Sequence, residues 1–285
     1  NQEITAGAAA HNDLVVVGTR GGRVYGLNIA TKQIQWNTAV GNEVLAAPAI
    51  GSNVVVVKTI DGKVTGLSAE DGHHLWSHQE VEPNLILRTA STPQITQDSV
   101  VIGYASGKVI KLSLLTGDVQ WTQTIATPEG AFAIQRMIDI DANPVVMGNR
   151  VYVATYQGKI AALNLADGNI QWDHDISAYS GIAVDEHHVY VSDAKSDIWA
   201  FNRETGQVAW KQTKLEYRNT TGPATIGNNI VVGDAQGALH WLNKQDGSFA
   251  GRAQLGGKGI YANPIAQNGI VYVLTQDGYL VAYRG

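Results

Sequence analysis

One pattern is written over and over in this chain, and it limits the folds open to it. RVYGLNIATKQIQW (23–36) is followed by KVTGLSAEDGHHLW (63–76), KVIKLSLLTGDVQW (108–121), KIAALNLADGNIQW (159–172) and DIWAFNRETGQVAW (197–210). A worn copy, ALHWLNKQDGSFAG (238–251), puts Gly251 in the tryptophan position, and YLVAYRG (279–285) covers only the start of the pattern. Self-similarity at this spacing means one supersecondary unit stacked on copies of itself, because a single copy cannot bury both of its faces.

Each unit reads as four antiparallel strands. In the second copy APAI (47–50) is a short strand entered through a proline, which costs no ladder bond at a strand's first residue. VVVVKT (54–59) is a buried β-branched run, IDG a turn, KVTGLSA (63–69) an alternating strand, EDG (70–72) a second turn, and HHLWSHQ (73–79) an outer strand with Trp76. The first turn ends in Gly22, Gly62, Gly107, Gly158, Gly237 and Gly278, with Ser196 in the remaining copy. The second uses Gly72, Gly117, Gly168, Gly206 and Gly247, with Lys32 in the first copy. Hairpin turns demand positive φ, which glycine supplies without strain. Pro48, Pro93, Pro144, Pro223 and Pro264 mark the innermost strands, and the tryptophan is a wedge suited to packing between units.

The expectation is an all-β fold, a β-propeller of four-stranded antiparallel blades, with seven blade repeats in one domain over residues 1–285. ITAGAAA near the start reads as an innermost strand, and the seventh copy lacks its outer strand. The ring is therefore expected either to stay open or to be closed by residues preceding this chain.

Composition removes several functions. The formal net charge is −5 with no basic tract, which argues against nucleic acid as a partner. There is no cysteine, so disulfides, thiolate zinc sites and cysteine nucleophiles are excluded. No apolar run is long enough for a membrane-spanning helix. The chain opens at NQEITAGAAA without methionine, as a processed product would.

Two connections are longer than the rest: from Trp76 to the strand at 100, and from Trp121 to the strand at 151. They are neighbours, and both run from an outer strand to the next inner one, so both emerge on the same face. Extra loop length on one face of a rigid scaffold is a usual place for binding. NLILR sets three aliphatics beside Arg88, and AFAIQRMIDID sets Phe132, Ile134, Met137, Ile138 and Ile140 around Arg136, Asp139 and Asp141. Two readings stand open. Exposed aliphatics rimmed by charge suit a protein interface. Alternatively the aliphatics plug the disc or extend a strand, and Arg88 pairs with Asp139 or Asp141 to hold the loops together.

The repeat resembles the quinoprotein type, and VEPNLILRTASTP (81–93) with AIQRMIDIDANPVV (133–146) resembles the BamB family of outer-membrane β-barrel assembly lipoproteins. The resemblance implies an eight-bladed propeller whose N-terminal blade is missing here. It implies a non-enzymatic scaffold without cofactors, on the periplasmic side of the bacterial outer membrane. The implied partner is the set of POTRA domains of BamA, with unfolded outer-membrane proteins as a second class. It carries partner-binding roles to Leu85, Leu87 and Arg88 in the first loop and to Asp139 and Asp141 in the second. Membrane association is then expected only through an N-terminal lipid anchor that this chain does not contain. The rival readings are a quinone-dependent (PQQ) oxidoreductase and a ligand-sensing propeller.

Other motifs point to little chemistry. Asp139 and Asp141 offer two oxygen donors where calcium takes roughly six to eight. His73-His74 and His187-His188 are adjacent on strands, so each pair diverges and reads as a solvated edge. GTRGGR (18–23) lacks the Gly-Lys-Ser/Thr ending of a phosphate loop and reads as a hairpin turn. Trp199 and Trp241 read as core packing.

Overall fold

The computed structural model describes residues 3–83, 85, 91–127, 132, 137–178, 180–255 and 258–284. Among them are strands and turns, with no helix. They form six four-stranded sheets and one of three strands, each in simple up-and-down order. The second sheet, Ala49–Gly51, Val54–Lys58, Lys63–Ser68 and His74–Gln79, is typical. All its pairings are antiparallel. The seventh, Ile265–Gln267, Ile270–Leu274 and Leu280–Arg284, has no fourth strand, as its shortened copy of the pattern predicts. The first innermost strand is shorter than ITAGAAA suggests: it spans Ala9–His11, with Ile4 making an isolated bridge to Thr19.

The chain divides into two compact units, residues 1–151 with 164–169, and residues 152–163 with 170–285. In the first unit, one apolar cluster joins sheets one and two around Val16, Val24, Val55 and Leu67. Another joins sheets two and three around Val56, Val64, Ile102 and Leu112. In the second unit, Tyr190, Ile198, Ile230 and Leu242 join sheets five and six, and Val231, Leu239, Val271 and Val273 join sheets six and seven.

The tryptophan explains why the pattern repeats. On the outermost strand of sheet two, Trp76 is the one buried residue. Its indole Nε1–H donates to the Leu114 carbonyl of sheet three at 2.8 Å, and its ring covers Gly117 in that sheet's second turn. The same latch joins Trp36 to Ala69 and Gly72, Trp121 to Leu165 and Gly168, Trp172 to Arg203 and Gly206, and Trp210 to Lys244 and Gly247. Gly117 thus meets two demands: its φ is +73°, and a Cβ there would lie 2.6 Å from Trp76. Within its own sheet each tryptophan faces a small residue in four cases, Gly26, Gly66, Ala162 and Ala200. Sheet six reverses the pair, with Trp241 on the third strand and Gly251 on the fourth.

Two details depart from the sequence reading. One residue of each outer strand, such as Leu75, is bulged out, so the register shifts between Gly66 and Leu67 and at the equivalent place in the other four-stranded sheets. In the first turn of sheet four the left-handed residue is Gln157 (φ +51°), one place before Gly158. Elsewhere the expected positions hold, Ser196 and Lys32 included, at φ +73° and +58°.

Lys32→Gly is therefore expected to stabilise the protein by about 1 kcal/mol, since a side chain in the left-handed region costs roughly 1–2 kcal/mol. Gly117→Ala is expected to destabilise it by roughly 3 kcal/mol, through the same backbone cost and overpacking against Trp76. Urea denaturation of both variants checks the opposite signs.

Candidate partner-binding loops

The two long connections are fastened to one short stretch, Gly103–Ala105, at the end of the second strand of sheet three. Elsewhere the repeat sets a simple rule. The residue after the turn's first position donates its N–H to a backbone carbonyl of the preceding connection: Ile60 to Glu43, Ala194 to Ser177, Ala235 to Arg218 and Gln276 to Gly259. Sheet three breaks that rule. Ala105 N–H donates instead to the side-chain Oε2 of Glu82, at 2.9 Å. A carboxylate has replaced a carbonyl, which brings a negative charge into the interior.

Lys58 meets that charge. It ends the VVVVK strand of sheet two, and its side chain is 7% exposed, as is that of Glu82. Its Nζ lies 3.2 Å from Glu82 Oε1, donates to the Gly103 carbonyl at 2.8 Å, and sits 4.6 Å from the centre of the Tyr104 ring. Burial pushes the Lys58 pKa below its usual value, opposed first by Glu82 and then by Asp141 and Asp139. Burial and the nearby Glu80 and Glu82 push the Tyr104 hydroxyl in the other direction, upward. Lys58 is thus the counter-ion of Glu82, with the second loop's Asp141 and Asp139 near enough to act on it.

Apolar packing and backbone bonds complete the attachment. A Cβ on Gly103 would lie 2.4 Å from Ile140 and 3.0 Å from Ser91, one residue from each loop. Ile140 N–H donates to the Tyr104 carbonyl at 3.3 Å, and Thr92 N–H to Asn143 Oδ1 at 2.7 Å. Gly18 under Val44 and Gly233 under Ile260 show the same packing elsewhere, so Ile140 fills a place that belongs to the repeat.

The proposed site residues separate accordingly. Leu85 is 47% exposed, and Phe132 on the other loop is 68% exposed. Asp139 is buried and Asp141 half-buried, both within electrostatic reach of Lys58. Leu87, Arg88, Ile134 and Arg136 lie outside the described residues, and with them the expected pairing of Arg88 with Asp139 or Asp141. Met137, Ile138 and Ile140 are buried, so these three are not exposed anchors. Sequence reasoning passed over Lys58 and Glu82. The available signal was a lysine inside a run that otherwise reads as a fully buried strand.

The histidine pairs do not gather as ligands. His73, His74 and His187 are exposed, while His188 is half-buried beside Tyr190, and burial lowers its pKa. Among the described residues no three His, Asp or Glu side chains are grouped to hold a metal.

Comparison with known proteins now bears on this geometry. The family described as "Outer membrane protein assembly factor BamB" matches residues 1–212. The chain belongs to the BamB family. A BamB from Legionella pneumophila is 40% identical over 70% of the chain, and the match spans 51% of that relative's length. The crystal structure of BamB from Moraxella catarrhalis superposes with a TM-score of 0.93 at 30% identity, covering 99% of this chain and 85% of that one. The fold is accordingly the β-propeller of that structure. A europium-containing methanol dehydrogenase, 12% identical with a TM-score of 0.77 over 99% of this chain and 76% of its own, shares the fold alone.

Removing Lys58 leaves the Glu82 carboxylate without its buried counter-ion. Lys58→Met is expected to cost about 3–5 kcal/mol at neutral pH. Denaturant midpoints at pH 7 check this; a Lys58→Met, Glu82→Gln double variant no more stable than Lys58→Met alone would mean that Lys58 contributes by packing alone.

Proposed function

We propose that this chain is a non-enzymatic scaffold of outer-membrane protein assembly, working on the periplasmic side of the outer membrane. Residues 1–285 act in this reading as one domain that binds the POTRA domains of BamA through the two long loops. The observation that supports it best is the attachment of both loops to one buried centre, with Leu85 and Phe132 left at the surface. Exposed aliphatic and aromatic side chains beside a fixed buried centre are what a protein interface needs. Leu87 and Arg88 would extend the first anchor.

Asp139 and Asp141 act in this proposal through Lys58, by setting the loops rather than by touching the partner. Strand addition to an open sheet edge of a POTRA domain is one way to use such anchors. The names of the relatives, assembly factors in each BamB case, favour this reading over a quinone-dependent oxidoreductase or a ligand sensor.

Calorimetric titration against the purified POTRA region of BamA tests it. Wild type is expected to bind, and Leu85→Glu to weaken binding at least about tenfold, the loss of one buried anchor, with its melting temperature unchanged. Absence of binding by folded wild type, or full affinity in a Leu85→Glu, Phe132→Ala double variant, would sink the assignment of the loops. A rise in melting temperature on adding pyrroloquinoline quinone with calcium would instead favour the oxidoreductase reading.

A further inference from the structure

The sixth sheet departs from the repeat where its residues line one cavity. Its strands are Ala224–Ile226, Asn229–Gly233, Ala238–Asn243 and Phe249–Gln254. An open cavity of about 510 Å³ is lined by Lys214, Leu215, Arg218, His240, Phe249 and Arg252. His240 and Arg252 are cross-strand partners. The same pair in the other four-stranded sheets is Tyr25 with Asn37, Thr65 with Ser77, Ile110 with Thr122, Ala161 with Asp173, and Trp199 with Lys211. Only in sheet six are both members basic. In a repeat scaffold, positions that leave the pattern together are free of the packing demand that fixes the others.

Asp234 organises the cavity from below. It is fully buried, and its Oδ1 accepts the N–H groups of Gln236 and Ala238, each at 2.9 Å. Its Oδ2 accepts Arg218 Nε at 2.6 Å and His240 Nε2 at 2.9 Å. Burial alone would raise this carboxyl, but the hydrogen bonds from His240, Ala238 and Arg218 outweigh it and hold the pKa at about 2. The ionised Asp234 fixes His240 with Nε2–H pointing to it. The other ring nitrogen, Nδ1, is buried on a residue 3% exposed and has no hydrogen-bond partner. An unpartnered buried polar atom is a cost that a ligand removes.

The surroundings fix the chemistry such a ligand needs. Asp234 is already engaged by Arg218 and His240, which leaves Lys214 and Arg252 as exposed cations without an ion pair among the described residues. Glu216, on the same connection, is bonded to Tyr217. That connection holds Tyr217 and Asn219 at φ +61° and +51°, a backbone state seldom kept by a bulky residue without a role in shaping a surface. Leu215 is buried in the wall, and Phe249, 41% exposed, stands edge-on to His240.

We propose that this cavity binds a small organic anion: a carboxylate or phosphate monoester carried on a flat apolar body. The anionic group lies among Arg218, Arg252 and Lys214. The body rests on Leu215 and Phe249. His240 Nδ1 accepts from a hydroxyl of the ligand's acid group. This site is separate from the two long loops and does not depend on the POTRA reading.

Titration of the full chain with phenyl phosphate, benzoate and inorganic phosphate, followed through the His240 ring nitrogens and the amides of residues 214–218 and 249–252 by NMR, tests the proposal. Phenyl phosphate or benzoate is expected to give saturable shifts confined to these residues, with inorganic phosphate weaker. A Lys214→Ala, Arg252→Ala double variant, both positions exposed and outside the Asp234 network, should weaken binding about tenfold while leaving the melting temperature unchanged. No saturable shift with either organic anion overturns the site. Equal affinity for inorganic phosphate removes the apolar body from the proposal, and unchanged affinity in the double variant places the anion elsewhere.

Discussion

An indole lying across a bare glycine is the contact on which the rest of this structure depends. Each outer tryptophan does two things for the next sheet. It covers the second-turn glycine, and it satisfies a carbonyl just before that turn, at distances of 2.8 to 3.0 Å in the five latches. Burying such a ring contributes roughly 1.5–3 kcal/mol and its hydrogen bond about 1 kcal/mol more. Neither partner tolerates easy exchange. The glycine needs its positive φ and its missing Cβ, and the tryptophan needs both its area and its N–H.

That double demand is why the fold could be read from the chain. The glycines and tryptophans are fixed by hard sterics between neighbours, so they survive in every copy that makes the contact. The outer-strand bulge was not legible: residues such as Leu75 and Gln120 sit in a local shift of pairing that leaves no compositional mark. Gln157 was misread for a related reason. A glycine one place away satisfied the pattern, while the backbone had moved the left-handed position onto its neighbour.

The loops were legible by length but not by content. Met137, Ile138 and Ile140 look like surface anchors when read beside charges, yet Ile140 occupies the place that Val44 and Ile260 hold in plainer connections. Glu82 and Lys58 form a bond between two sheets, and no local spacing announces a partner so far away in the chain. Their role follows from a substitution in the hydrogen-bond scheme: one carbonyl acceptor became a carboxylate. The buried lysine answers that change, and Asp139 and Asp141 lie near enough to act on the same cation. The loops thus carry electrostatic constraint inward, whatever their outer side chains meet.

The reversed pair in sheet six has a further consequence. With Gly251 where the tryptophan belongs, sheet seven is joined to sheet six by an apolar cluster with Trp241 edge-on to Tyr283, by Ile260 over Gly233 and by the Asn263 side chain bonded to Gly222, but among the described residues by no indole hydrogen bond over a turn glycine. In a stack whose stability is a sum of nearest-neighbour terms, removing one term sets where the structure opens first. By that logic sheet seven, held to its neighbour without the turn-glycine latch, is expected to open before the latched sheets do.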